Sequence, residues 1–193
     1  MRTATYATLL LLVISACSSK EASHIATVKN YYSGFNNGDY KLIETQLSDS
    51  LTITEGDYIM NFTPETFETH FKWDSVFVPQ VKIINIEQQE NDLLVTISAS
   101  SKRFEFLRNN PLVTKHLVHF TNGKIRRIDN VDFINTDWKL WTKQKEGLTQ
   151  WIANNHKEID GFMIDQTLQG GLDYLKAIDL YTNRDSNSTK PLE

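Results

Sequence analysis

The sequence predicts an α+β fold: a cone-like, curved antiparallel sheet packed on N-terminal helices, with a C-terminal helical extension. Three observations predict it. Apolar residues recur at three- and four-residue steps from Ile25 onward, as on one face of a helix. Val78 to Phe133 then reads as strands separated by turn residues. Helical spacing returns over 137–182. Helices first and hairpins afterwards form an α+β arrangement, with the helices on one face of the sheet.

The elements follow in order. Ile25, Val28, Tyr31, Tyr32 and Phe35 form the first apolar face. Asn36-Asn37-Gly38 ends that helix, because glycine adopts the left-handed cap without a Cβ penalty. Asp39 caps a second helix carrying Tyr40, Leu42, Ile43 and Leu47, closed by Ser48-Asp49. Leu51 to Thr54 alternates as a strand and Tyr58 to Phe62 is a second candidate. Thr63-Pro64 opens a third helix, an N-cap followed by proline in the first turn, with Phe67, His70, Phe71 and Trp73 on its apolar face.

Strands are expected at Val81 to Glu87, Leu93 to Phe106, Val113 to Phe120 and Lys124 to Phe133. Glu90-Asn91-Asp92 turns the first pair and Asn109-Asn110-Pro111 breaks the next. Asn122-Gly123 makes a tight hairpin. In the extension, Trp138, Trp141, Leu148 and Ile152 share a stripe. Gly170-Gly171 interrupts, and Leu172, Leu175, Ile178 and Tyr181 form another.

Composition excludes several functions. The 193 residues are 40% hydrophobic and 23% charged, an ordinary globular mix. A net charge of -4 without a Lys/Arg run is a poor match for a nucleic-acid backbone, so no nucleic-acid partner is expected. With Cys17 as the single cysteine, the chain can form no internal disulfide and no cysteine-based metal site. No phosphate loop, serine nucleophile elbow or zinc histidine motif is present, and neither a cofactor nor a metal is expected.

The position of Cys17 gives it another role. Arg2 precedes a short apolar run from Ala7 to Ile14, too short to span a bilayer. Ser15 and Ala16 then stand directly before Cys17. This resembles the bacterial lipoprotein signal, whose cysteine is cut and lipidated; the alternative is a plain secretory signal with an incidental cysteine. The resemblance implies a lipid-anchored envelope protein, and Ser18 is compatible with outer-membrane sorting. The expected organisation is a signal peptide over 1–16, a lipidated cysteine and polar tether over 17–24, a domain over 25–135, an extension over 136–183 and a polar, disordered tail over 184–193.

Within the domain, Val28 to Asp39, Leu47-Ser48-Asp49, Leu51 to Thr54 and Val118 to Ile128 resemble the nuclear transport factor 2-like superfamily, which includes the SnoaL-like proteins. The first segment is similar to its helix pair and the last to its closing hairpin. The resemblance covers about 25–135 and implies a cone with an open mouth. That superfamily includes isomerases, dehydratases, epoxide hydrolases and many members without known activity.

Against the ketosteroid isomerase pattern, Tyr31 stands seven residues before the turn Gly38, Glu55 sixteen after Asp39, and His116 four before Phe120. The resemblance would make Glu55 a base and Tyr31 and His116 donors to an enolate oxygen. The departures are a longer acid, a histidine in place of a neutral acid, and Asp57 as a competing carboxylate. Equally, Tyr31 reads as a packing residue and Glu55-Gly56-Asp57 as a solvated turn.

Two readings follow from the cone. One is a non-catalytic protein binding a small apolar ligand or a protein partner, with Tyr31, Tyr32, Phe71, Trp73, His116 and Val118 as ligand contacts. The other is an enzyme of the isomerase, dehydratase or hydrolase kind using Tyr31, Glu55 and His116. A homodimer through the convex sheet face is a further expectation. His116 and His119, three apart on a strand, are expected on opposite faces. His156 and Asp160 read either as a metal half-site on one helix or, better, as a capped helix end. Trp138, Trp141 and Trp151 read as core, with an aromatic surface for sugars or a partner as the alternative.

Overall fold

A computed structural model describes residues 21–184. The expected signal peptide over 1–16, Cys17 and the start of the expected tether fall in residues 1–20, and the expected tail falls almost wholly in residues 185–193; both stretches lie outside the described residues.

Helix α1 (21–37) reaches back past the apolar pattern, so Glu21 to Ser23 are helical. His24 stacks on Phe120 with ring centroids 3.9 Å apart, fixing the start of α1 on the sheet. Gly38, at φ 64°, ends α1, and the Asp39 N–H donates to the Gly34 carbonyl at 2.9 Å. Asp39 then caps α2 (Tyr40–Gln46), accepting from the Leu42 N–H at 3.0 Å. A Cβ on Gly34 would lie 2.3 Å from Ile43, so glycine is what lets α1 and α2 meet.

β1 (Leu47–Glu55) and β2 (Tyr58–Phe62) form a hairpin. Thr63 caps α3 (Pro64–Ser75) through a reciprocal box with Thr66. β3 (Gln80–Gln89), β4 (Asp92–Ser100), β5 (Leu112–Thr121) and β6 (Lys124–Ile134) form an antiparallel meander. Asn122 and Gly123 both take positive φ in the last hairpin, as a type I′ turn requires.

The six strands run in the order β2-β1-β6-β5-β4-β3. One joint corrects the expectation of an antiparallel sheet: β1 pairs β6 in parallel. The β1–β2 hairpin is laid as a unit along the edge of the meander, and β1 happens to enter in the direction of β6. The sheet is therefore mixed, and it still curls around α1 and α3. A second correction lies beyond β4. The segment read as strand to Phe106 turns at Ser101, which caps a short helix α4 (Lys102–Phe106) by accepting from the Phe104 N–H at 3.2 Å.

The extension consists of α5 (Trp138–Asn155), a 3-10 turn at Lys157–Ile159 and α6 (Leu168–Thr182). It adds a second core in which Leu148, Ile152, Ile159, Phe162, Tyr174 and Ala177 close over Trp73 and Phe77. The first core lies between α1, α3 and the sheet and holds Val28, Tyr31, Ile43, Phe67, Val95 and Ile125. A Cβ on Gly171 would come within 2.7 Å of the Trp73 carbonyl, so α6 lies directly against α3. His156 ends α5, and its Nδ1 lies 3.2 Å from Glu158 Oε1. It therefore shares no helix face with Asp160, and the half-site reading fails. No group of metal-ligating side chains able to hold an ion occurs among the described residues.

Candidate functional site

A cavity of about 370 Å³ opens between α3, α4, the concave face of the sheet and the start of α5. Tyr31, Tyr32, Glu55, Trp73 and His116 all line it, so the three residues of the isomerase spacing do share one cavity. Phe71 and Val118 do not line it. Phe71 turns toward Phe35 and Tyr40, at 5.5 Å each. Val118 lies further along β5, under the start of α1, where Thr27 Oγ1 donates to the Gly123 carbonyl.

The sheet supplies one end of the cavity. Glu55, Asn130 and His116 are register partners across β1, β6 and β5, so they stand in one row. The hydroxyl that meets His116 is that of Tyr32, not Tyr31: Tyr32 Oη lies 2.7 Å from Nδ1. The other ring nitrogen, Nε2, lies 2.8 Å from Thr114 Oγ1. With one ring nitrogen donating and the other accepting, a neutral imidazole is fully engaged. Burial pushes the His116 pKa down to about 4, so the ring is neutral at pH 7. Burial likewise pushes both tyrosine hydroxyls up; Asp74 and Tyr40 add to this at Tyr31, as does Tyr31 at Tyr32. Tyr31 itself packs edge-on against Tyr32 and Phe35. Glu55 is exposed at the rim.

The convex face carries its own polar ladder. His119 Nδ1 lies 2.6 Å from Asp92 and its Nε2 2.9 Å from Asp129. Burial opposes ionisation of Asp129, but hydrogen bonds from Arg127, Thr54 and His119 prevail and hold its carboxyl at about 2. His116 and His119 thus have separate partners on opposite faces, as their spacing predicts.

The helices supply the other end. His70, Trp73 and Asp74 project from one face of α3, Arg103 comes from α4, and Gln166 from the loop before α6. The rings of His70 and Trp73 stack at 5.5 Å, and the Arg103 guanidinium lies 4.8 Å over Trp73. Arg103 also approaches Asp74, at 3.7 Å. Burial pushes His70 below the usual histidine range; Asp74 opposes this, Arg103 adds to it and Gln166 opposes it.

Five buried side-chain polar atoms among the described residues have no hydrogen-bond partner: His70 Nδ1, Trp73 Nε1, Arg103 Nε, Asn130 Oδ1 and Thr136 Oγ1. The first four belong to residues lining this one cavity. Each such atom costs about 1–3 kcal/mol unless something meets it.

Trp138 and Trp141, expected as core, stand at the mouth instead. Trp138 is 45% exposed and packs on Phe133 and Trp141, and Trp141 on Phe104. Only Trp151 joins the second core, beside Tyr181. The extension therefore forms part of the cavity wall and rim. Arg103 and Gln166 were not singled out in the sequence; a capping Ser101 before Lys102 is the one local signal that would have placed Arg103 on a helix.

No family model matches the chain, and no curated protein does. Solved structures do. Bal32a, from a soil-derived mobile gene cassette, is 11% identical and superposes with a TM-score of 0.50 over 65% of this chain and 97% of its own. A nuclear transport factor 2-like protein of unknown function from Cytophaga hutchinsonii is also 11% identical, with a TM-score of 0.46 over 57% of this chain and 88% of its own. A de novo designed protein with a curved β-sheet is 16% identical, with a TM-score of 0.49 over 65% and 96%. The chain shares its fold with Bal32a over the 65% that superposes. At these identities the likeness is one of fold and carries no activity.

Proposed function

We propose that this chain is a lipid-anchored envelope protein whose cavity binds a small, largely apolar molecule without chemical turnover. The observation that carries the binding part is that four residues lining one aromatic-lined cavity each hold a buried polar atom without a partner. The anchoring part rests on Cys17 and the residues before it.

The enzyme reading draws support from the shared cavity of Tyr31, Glu55 and His116. Two features weigh against it. Glu55 stands exposed at the rim, open to water at the cavity's edge. His116 has both ring nitrogens engaged, so neither is free for an enolate oxygen.

Titration of the full chain with the neutral fluorophore N-phenyl-1-naphthylamine tests binding. The expected result is saturable uptake of one molecule, lost in Ile97→Trp, which fills the cavity from its β4 wall. Absence of saturable uptake, or turnover of a carbonyl substrate that disappears in Glu55→Gln, overturns the reading. For the anchor, Cys17→Ser is expected to move the protein from the detergent phase to the aqueous phase; unchanged partition refutes it.

A further inference from the structure

We infer that the cavity selects an uncharged ring compound bearing a carbonyl-type hydrogen-bond acceptor, and that this acceptor sits beside Trp73 and Arg103 at the helical end. The inference rests on the cavity being a ligand site, as proposed above, and goes beyond it in naming the ligand's chemistry and orientation.

The count of free groups sets the chemistry. Trp73 is 7% exposed, and its Nε1–H, which can only donate, has no partner. Arg103 Nε–H, again donor only, has none either. The two residues are in contact, with the guanidinium 4.8 Å over the indole. Two unmet donors on contacting residues call for an acceptor. His70, stacked on Trp73, brings a third unmet nitrogen to the same end. At the sheet end the unmet atom is Asn130 Oδ1, an acceptor. A hydroxyl or N–H at the far side of the ligand would meet it.

Charge excludes the ionic alternatives. Apart from the two histidines, the acidic and basic residues lining the cavity are Glu55, Asp74 and Arg103. Arg103 already has Asp74 at 3.7 Å. An anion would therefore meet two carboxylates for one guanidinium that is already matched. A cation would leave both donors unmet. A neutral acceptor satisfies them and disturbs neither charge. The walls favour a ring, since Tyr31, Phe67, Phe104, Trp138 and Trp141 all line the space.

The orientation follows from the same inventory. In the isomerase arrangement the acceptor would lie at Tyr31 and His116. Here His116 is held by Tyr32 and Thr114, so the unmet donors are those on α3 and α4.

Three naphthalenes of one shape test this by calorimetric titration of the full chain: 2-acetylnaphthalene, 2-isopropylnaphthalene and 2-naphthoate. The ketone is expected to bind at least tenfold more tightly than either of the others. Trp73→Phe, which keeps a ring and removes the N–H, is expected to erase most of that preference while leaving the isopropyl compound's affinity within twofold. Arg103→Lys, which keeps the charge and removes Nε–H, provides the same test if the first variant folds poorly. Equal binding of all three, a preference for naphthoate, or a ketone preference that survives both substitutions overturns the inference and leaves the cavity reading standing. Failure of all three probes to bind overturns both.

Discussion

The two ends of the cavity are built differently. At the sheet end, polar side chains come from neighbouring strands held in register: Tyr32 and Thr114 hold His116 between them, and Asn130 Oδ1 is the one atom left unmet there among the described residues. At the helical end, polar side chains come from α3, α4 and the loop before α6, elements with no common register. There Trp73 Nε1, Arg103 Nε and His70 Nδ1 stay unmet. A hydrogen-bond ladder organises side chains as a by-product of pairing the backbone. Packed helices do not, and the polar atoms buried among them here are left without partners. The sheet end thus contributes mainly to stability, and the helical end to recognition.

Substitutions that break this division rank by size. The largest effect is expected where α6 presses on α3. In Gly171→Ala the new methyl meets the Trp73 carbonyl at 2.7 Å and Val76 at 2.9 Å, one of them backbone that cannot rotate away. A loss of about 3 kcal/mol is expected, roughly 6–12 °C in Tm by calorimetry. Ligand uptake should fall with it, because the helical end is displaced.

Next comes His116→Asn, which cannot bridge Tyr32 and Thr114 and leaves a hydroxyl unmet. A loss of about 2 kcal/mol at pH 7 is expected in urea unfolding. Its pH dependence sharpens the comparison. The native ring titrates near pH 4 and an unfolded histidine near 6.5, so between these values the unfolded chain takes up the extra proton. Stability from His116 is therefore complete above about pH 7 and falls as pH drops toward 4, by up to roughly 3 kcal/mol. His116→Asn should remove that slope. Asp129, held at about 2 by its partners, loses its contribution in a lower window, as pH falls from about 4 toward 2. A slope unchanged in the variant would show that the sheet end is open to water.

The smallest effect on stability is expected at Trp73→Phe. The N–H removed has no partner, and relief of that unmet donor offsets the packing lost with the smaller ring in the second core, so the net change should stay below about 1 kcal/mol. A large loss there would mean that the two ends do not differ in the way described.

How much of this was legible in the sequence depends on how local the chemistry is. Gly38-Asp39, Thr63-Pro64 and Asn122-Gly123 act within a few residues, and the structure has the cap, the capping box and the hairpin at those places. The parallel β1–β6 joint has no local signature, because it depends on which edge of the meander the first hairpin joins. The site divides the same way. The resemblance to the isomerase pattern pointed to Tyr31, Glu55 and His116, which do line a single cavity, but not to the fact that Tyr32, one position on, is the partner of His116. The helical end was hidden further. Residues 70, 73, 103 and 166 meet only in the folded chain, and reading 93–106 as one strand put Arg103 on the wrong kind of element.

Nuclear magnetic resonance of the nitrogen-15-labelled chain, titrated with 2-acetylnaphthalene, tests the division of the cavity most directly. The account predicts that the Trp73 indole N–H resonance moves downfield and saturates while both His116 ring nitrogens keep their shifts. Movement of the His116 nitrogens with a stationary Trp73 indole would contradict it.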